Sequence, residues 1–470
     1  MRRSFLRASL EEDNIGGEVI AVPDSVTEVE LSPMEEANDA VETQTLLTEV
    51  TADIAEVEQA TDVAESLEDL AIIADSDIKA VTPTEAALIE TAAGLAAAGT
   101  DADPIQVIEG PQSEGTSLES YIGRRLSTEG LKDTIQRIWE RIKAVLKKIW
   151  EKVEAFFYKI FGQIPRLRKA IEKLKDRIGS ETRSVEDKRF TVRSNISLLT
   201  VDDVVKKNGK DLATAYAKTS PVFATTFNGV AKNIKEIGKQ VNETLGNFDT
   251  DAFIENKSTD ATTSELQTKL SGVSGGLIAA YTKQTANQTH SRDGYDVSVS
   301  ESMVGNKSVV ATVKQSADAE ADPISVFSSS ATLRVYVTRS TNSTKELPDT
   351  VEFETMNKGD MLALLDSAIA ILNPIEAYNR STALKDIKEN QKKISDKTEK
   401  IAQTARKYGS DKDSSLDNNR AALLFSSITR LSTMHANLAK SPSADLAALG
   451  LSLVRNAMTL CEESLRQYKK

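Results

Sequence analysis

The chain has little of what most chemistry requires. Among 470 residues there is one cysteine, Cys461, and there are two histidines, His290 and His435. A lone cysteine excludes an intramolecular disulfide and gives no sign of an oxidising compartment. Aromatic side chains make up only 5% of the residues, and Ala, Leu, Lys and Glu are common, a balance that favours helices over a β-rich core. No stretch reaches the roughly 18 to 20 uncharged apolar residues needed to span a bilayer. The start MRRSFLRASL has the charge of a signal n-region, but EEDN stands where an apolar h-region belongs. The expectation is a soluble protein of a reducing compartment.

Catalytic and metal-binding signatures are also missing. Neither histidine has carboxylates or cysteines around it at ligand spacing. His290, in the polar run NQTHSRDG, reads as a surface-loop residue, and His435 falls in the middle of a helix. There is no GxxxxGK[ST], no GxGxxG opening a helix after a strand, and no GxSxG. The run from Asp411 through Asp413 and Ser415 begins like a calcium loop. It then has Leu416 where the glycine belongs and Ala422 where the bidentate glutamate belongs, so a helix start is the better reading. Cys461 lies beside two acids that raise rather than lower a thiol pKa, which makes it inert. Nothing in the residues points to an enzyme, a metal or a cofactor.

Basic residues are almost absent from one part of the chain. Between Ala8 and Gly123 there are 28 Asp/Glu against a single Lys79, and residues 1–129 sum to −23. From Gly130 to Lys470 the balance reverses, to 52 Lys/Arg against 42 Asp/Glu, a net of +10. A segment as acidic as 1–129, with one aromatic between Ala8 and Gly123 (Tyr121) and many Thr, Ala, Asp and Glu, repels itself, and disorder is expected.

The border falls on a basic amphipathic helix. Leu131, Ile135, Ile138, Ile142, Val145, Ile149, Val153, Phe156 and Ile160 recur at steps of three and four and form one face. Trp139, Trp150, Phe157 and Phe161 widen that face, and the other side carries Lys132, Arg137, Arg141, Lys143, Lys147, Lys148 and Lys152. Gly162 and Pro165 predict its end. A second helix over about 165–178 adds Arg166, Arg168 and Lys169 and completes a basic helical hairpin at 130–180; Gly130–Ile178 holds 14 basic and 6 acidic residues.

The fold expected is mainly α with a small antiparallel β insertion (α+β). It comprises a disordered acidic segment (1–129), the amphipathic hairpin (130–180) and a mixed helical region (181–293). A small antiparallel sheet (294–356) and a helical C-terminal bundle (357–470) complete it. Within the mixed region, TVDDVVKKNGKDLATAYAKT reads as a capped helix with a turn at Asn208-Gly209. The sheet is expected from YDVSVSESM, KSVVATVKQ and ATLRVYVTRS, with a turn at Gly305-Asn306. In the bundle, MLALLDSAIAIL should stop at Pro374, followed by helices at about 382–407, 417–439 and 443–468.

One short motif coincides with the charge border. Ser-x-Glu occurs at Ser9–Glu11, Ser66–Glu68, Ser117–Glu119 and Ser127–Glu129, the last immediately before Gly130. An accessible, unstructured Ser-x-Glu followed by a small glycine suits a protease that prefers an acidic residue before the cut, because an extended chain must enter its cleft. Chance also makes such triplets, as Ser184–Glu186 shows outside the acidic segment.

The arrangement resembles the internal head (inner body) proteins of large tailed bacteriophages, especially the phiKZ-like jumbo phages. The resemblance is carried by the acidic segment, by SLES and by LSTE followed by GLKD. It extends through the helix IQRIWERIKAVLKKIWEKVEAFF to the helical MLALLDSAIAILNPIEAYNRSTALKDIKENQKKI. It implies a structural virion protein packaged inside the head, present in the host cytoplasm during assembly. It implies a propeptide removed by a prohead protease, with the final site at Ser127, Thr128, Glu129 and Gly130 and further sites at Glu11, Glu68 and Glu119. The implied partners are that protease, capsid or other internal head proteins, and double-stranded DNA bound without sequence preference. Lys132, Arg137, Arg141, Lys143, Lys147, Lys148, Lys152, Arg166, Arg168 and Lys169 are the candidate phosphate contacts. Ejection with the genome is a further option that no residue here carries. Two alternatives stay open: a membrane-active protein that lays Trp139, Trp150, Phe156, Phe157 and Phe161 into an anionic bilayer, and an uncleaved scaffold or adaptor with an acidic arm.

Overall fold

The computed structural model describes residues 108–109, 125–126, 128–185, 188–247, 289–292, 294–314, 334–339, 347–393, 396 and 442–469. The expected disorder of the acidic segment lies outside these residues, apart from a two-residue ladder. Strand β1 (Ile108–Glu109) pairs antiparallel with β2 (Arg125–Leu126), so that Glu109 stands opposite Arg125. Most of the helix expected at about 382–407 beyond residue 393, the helix expected at 417–439, His435 and the 411–422 run also fall outside the described residues.

Four helices carry the core: α1 (Thr128–Ser180), α2 (Gly209–Asn247), α3 (Lys358–Arg380) and α4 (Ser443–Arg466). Helix α3 is central and packs against the other three, and α4 also lies against α1. By length and composition α3 could cross a membrane; here its apolar face, Met361, Leu364, Leu365, Ala368, Ile371, Leu372 and Ile375, is buried among its neighbours. Residues 383–393 continue as helix beyond Arg380.

The expected hairpin at 130–180 is instead one continuous helix of 53 residues, with Pro165 inside it. A proline in mid-helix removes a hydrogen bond and crowds the carbonyl four residues back, at about 3 kcal/mol. Burial on both sides outweighs that cost. Phe157, Phe161 and Ile164 precede Pro165, and Leu167, Ile171 and Leu174 follow it, all nearly inaccessible. Each such side chain contributes about 1.5 to 3 kcal/mol. Helix α3 likewise does not stop at Pro374 but runs through it, because Ile375 and Tyr378 in the next turn are core residues. Helix α2 carries Pro221 in the same way.

Helices α2 and α3 open with the same device. Asn208 Oδ1 accepts from the Asp211 backbone N–H at 2.8 Å and its Nδ2 donates to Asp211 Oδ2 at 2.9 Å. Asn357 and Asp360 repeat this at 2.9 and 2.8 Å. Each Asn-x-x-Asp satisfies a backbone donor that the first turn leaves open. Asn208-Gly209 is therefore the start of α2 and not a turn within a helix. The preceding TVDDVV is not helical either. A short 3-10 turn (Ile196–Leu199) leads into a two-residue hairpin, β5 (Thr200–Val201) with β6 (Val204–Val205). Its connecting residues Asp202 and Asp203 have φ of 51° and 60°, the left-handed pair that a tight hairpin turn needs.

The expected antiparallel β insertion is present, with different limits. A four-stranded antiparallel sheet runs β10 (Arg334–Arg339), β9 (Lys307–Lys314), β8 (Tyr295–Val299), β7 (Thr289–Arg292). Between β8 and β9 the chain turns at Gly305 (φ 91°) and Asn306 (φ 55°). His290 lies in β7 opposite Val297, and not in a loop. Strand β11 (Val351–Glu354), expected in this sheet, pairs instead with β4 (Arg189–Val192), placing Phe353 opposite Phe190. At the far end β12 (Tyr468–Lys469) pairs with β3 (Ser184–Val185), and the Tyr468 hydroxyl donates to the Met356 carbonyl at 3.0 Å. These small ladders tie the end of α1 to the end of the chain.

Candidate functional site

The two candidate functions meet on α1. Its first three residues are Thr128, Glu129 and Gly130, so the expected unstructured junction is corrected: the Glu129–Gly130 bond lies in the first helical turn, just after β2. The first-turn N–H groups have no partners within the helix, so this turn opens at small cost. Ser127 and the other candidate cleavage residues Glu11, Glu68 and Glu119 lie outside the described residues.

Farther along α1, the apolar face is covered by protein. Val145, Ile149, Val153, Phe156, Phe157, Ile160 and Phe161 are buried. Phe157 packs edge-on to Phe156, stacks with Phe161 at 5.4 Å and meets Tyr378 of α3 at 5.7 Å. Trp150 is partly buried against the same core. Those rings fill the protein interior and do not present a bilayer-facing surface; Trp139 has no described side-chain placement. The aromatic that does face outward is Tyr158, 59% exposed.

The candidate phosphate contacts divide by what they touch. Lys147, Lys148, Arg166 and Lys169 are exposed on the outer side of α1, and Lys152 and Arg137 are half-buried. For Lys132, Arg141 and Lys143 the structure fixes the helical backbone alone. Arg168 belongs to the fold: it pairs with Glu376 of α3 at 2.7 Å and donates to Asn373 Oδ1 at 2.6 Å. Lys175 does the same with Asp366 at 2.6 Å. Arg455 of α4 donates to the buried Gln163 at 2.8 Å, and Lys388 holds Glu154 at 2.9 Å. Part of the basic character of α1 thus fixes its neighbours in register.

A second run of exposed cations escaped the sequence reading. Lys207, Lys210, Lys218 and Lys232 lie on or just ahead of α2, on its outer side. The signal was there in KKNGKD, but the segment looked like a cap and turn rather than the start of a long helix.

The buried titratable groups have structural roles. Burial pushes the Cys461 thiol up from its ordinary range, aided by the neighbouring Glu462. Tyr216 is pushed up by burial too, and its hydroxyl donates to the Leu453 carbonyl at 2.9 Å. Among the described residues, no three His, Cys, Asp or Glu side chains converge to hold a metal ion.

No curated protein and no solved structure matches the chain. One family does: residues 27–463 match the phiKZ-like phage internal head proteins, a span that takes in most of the acidic segment as well as the helical body. With nearly the whole length matched, the chain belongs to the phiKZ-like phage internal head proteins, structural proteins located inside the phage head.

Proposed function

We propose that this internal head protein is made with residues 1–129 as a removable acidic segment and is matured by a prohead protease that cuts after Glu129. The mature chain then associates with packaged double-stranded DNA through the outer side of α1. The observation that carries this reading is the charge partition, −23 before the Glu129–Gly130 bond and +10 after it. During assembly in the host cytoplasm the acidic segment screens the basic body and keeps it off nucleic acid. Cleavage removes that screen in the compartment that DNA is about to fill.

The position of the bond in the first turn of α1 sets what the protease must do. It has to draw Thr128–Gly130 out of the helix into an extended form, which the weakly held first turn permits. Binding then follows from phosphate neutralisation by Lys147, Lys148, Arg166 and Lys169 without base readout. Contacts with capsid or other internal head proteins, and release with the genome, belong to this reading as consequences of location.

Phage carrying Glu129→Ala tests it. Heads from this variant should contain a chain that retains residues before Gly130, and the uncut chain, with its whole acidic segment attached, should bind duplex DNA more weakly than the protein from wild-type heads. Normal trimming of the variant, or equal DNA affinity with the acidic segment attached, refutes the proposal. The uncleaved-adaptor reading predicts one unprocessed form in both kinds of head.

A further inference from the structure

We infer that the protein has a second DNA-binding face, on α2, and that it bridges two duplexes instead of coating one. The inference rests on the α1–DNA reading for its first face.

Helix α2 turns Leu212, Tyr216, Phe223, Phe227 and Val230 into the core. Two hydrogen bonds fix that orientation: Tyr216 to the Leu453 carbonyl of α4, and Ser220 Oγ to the Ala370 carbonyl of α3 at 3.0 Å. The opposite side presents Lys210, Lys218 and Lys232, with Lys207 just ahead of the helix, all exposed. At about 100° per residue the three helical lysines fall within an arc of about 80°. From Lys210 to Lys232 the helix rises about 33 Å, close to the roughly 34 Å of one duplex turn. Among the described residues of α2 the exposed carboxylates are Asp211, which caps its own helix with Asn208, and Glu236. A row of cations along a straight rod suits a polyphosphate rod better than it suits a compact anion.

The two faces lie on different helices of the core. Tyr378 of α3 touches Phe157 of α1 on one side, at 5.7 Å, and Phe227 of α2 on another, at 5.3 Å. Helix α1 is also tied to α3 by Arg168–Glu376 and Lys175–Asp366. Helix α3 therefore has α1 and α2 both packed on it, and each cation row lies on the side of its own helix turned away from that shared core. Duplex DNA, with a persistence length of about 50 nm, does not curl around a core of four helices for a handful of phosphate contacts. Each face takes its own duplex, and one chain draws neighbouring duplexes together.

The test uses protein recovered from heads and short duplexes of one helical turn or more, labelled in two colours. Wild type should sediment with two duplexes per chain and should co-precipitate both colours. The variant Lys207→Gln/Lys210→Gln/Lys218→Gln/Lys232→Gln should bind one duplex and lose co-precipitation while its far-UV circular dichroism stays unchanged. The variant Lys147→Gln/Lys148→Gln/Arg166→Gln should also fall to one duplex. One duplex per wild-type chain, or full bridging by the α2 variant, overturns the inference and leaves the α1 reading standing. No binding of DNA by the wild type overturns both.

Discussion

Gly450 marks a tight three-helix crossing in the core. A Cβ added there would lie 2.7 Å from Ile375 Cδ1, 2.9 Å from Phe223 Cε1 and 3.3 Å from Ile371 Cγ2. All three neighbours are fully buried, and they come from two different helices, α3 and α2. Alanine in the middle of a helix gains about 1 kcal/mol over glycine, whereas overpacking a filled core costs about 1 to 3 kcal/mol. The steric term wins here because two of the three approaches are below 3.0 Å and all three side chains are fully buried. Gly450→Ala should therefore destabilise by about 1 kcal/mol. Ile375→Val removes the Cδ1 methyl that would clash and should by itself cost about 0.5 to 1.5 kcal/mol. Combined with Gly450→Ala it should cost less than that, with a favourable coupling of about 0.5 to 1 kcal/mol. Urea unfolding of the four proteins, read as midpoints at unchanged slope, measures each value. A Gly450→Ala protein as stable as wild type, or two substitutions that simply add, would refute the packing argument.

Other predictions follow from single side chains. Phe157→Ala, which empties the ring site between Phe156, Phe161 and Tyr378, should cost about 3 to 5 kcal/mol in the same unfolding assay; a loss below about 1 kcal/mol would mean that the face is not core. Glu181 is held at a pKa of about 2, chiefly by side-chain and backbone hydrogen bonds from Arg183. A carboxyl lowered in this way contributes stability above its unfolded value of 4.5 and loses it as the pH falls through about 2. Wild type should thus exceed Glu181→Gln at neutral pH and converge with it in acid, and a gap that widens in acid would reverse the assignment. Cys461 is fully buried, and its thiol donates to the Met361 carbonyl at 3.7 Å; alkylation by iodoacetamide should proceed in denaturant and be blocked in the native protein, and rapid native labelling would contradict its placement.

The parts of the fold that could be read from sequence are those set by local periodicity. Val145, Ile149, Val153, Phe156 and Ile160 were visible as one stripe, and they are buried together. In the last helix Leu453 and Leu465 are buried, whereas Leu449 and Met458 are only partly so. The misread elements are those decided by distant contacts. Pro165 and Pro374 carry a local stop signal, and only the side chains packed on both sides of them show why the helix continues. The partner of β11 is β4, some 160 residues earlier in the chain, and no local pattern announces such a pairing. TVDDVV failed for a local reason: two aspartates in left-handed conformation make a hairpin from a run whose valines look helical. The candidate site was half legible. Charge placed the border at Glu129–Gly130, but spacing alone could not tell that Arg168 and Lys175 are tied to α3, or that the lysines of α2 share one exposed side.

Maturation after Glu129 is decided by which form of the chain the head contains. N-terminal sequencing with intact mass of the protein recovered from mature heads addresses this directly. A chain that begins Gly130-Leu131-Lys132 is the predicted result and establishes the acidic segment as a removed propeptide. A chain that still begins at Met1 contradicts maturation after Glu129 and leaves a permanently acidic-armed structural protein in the head.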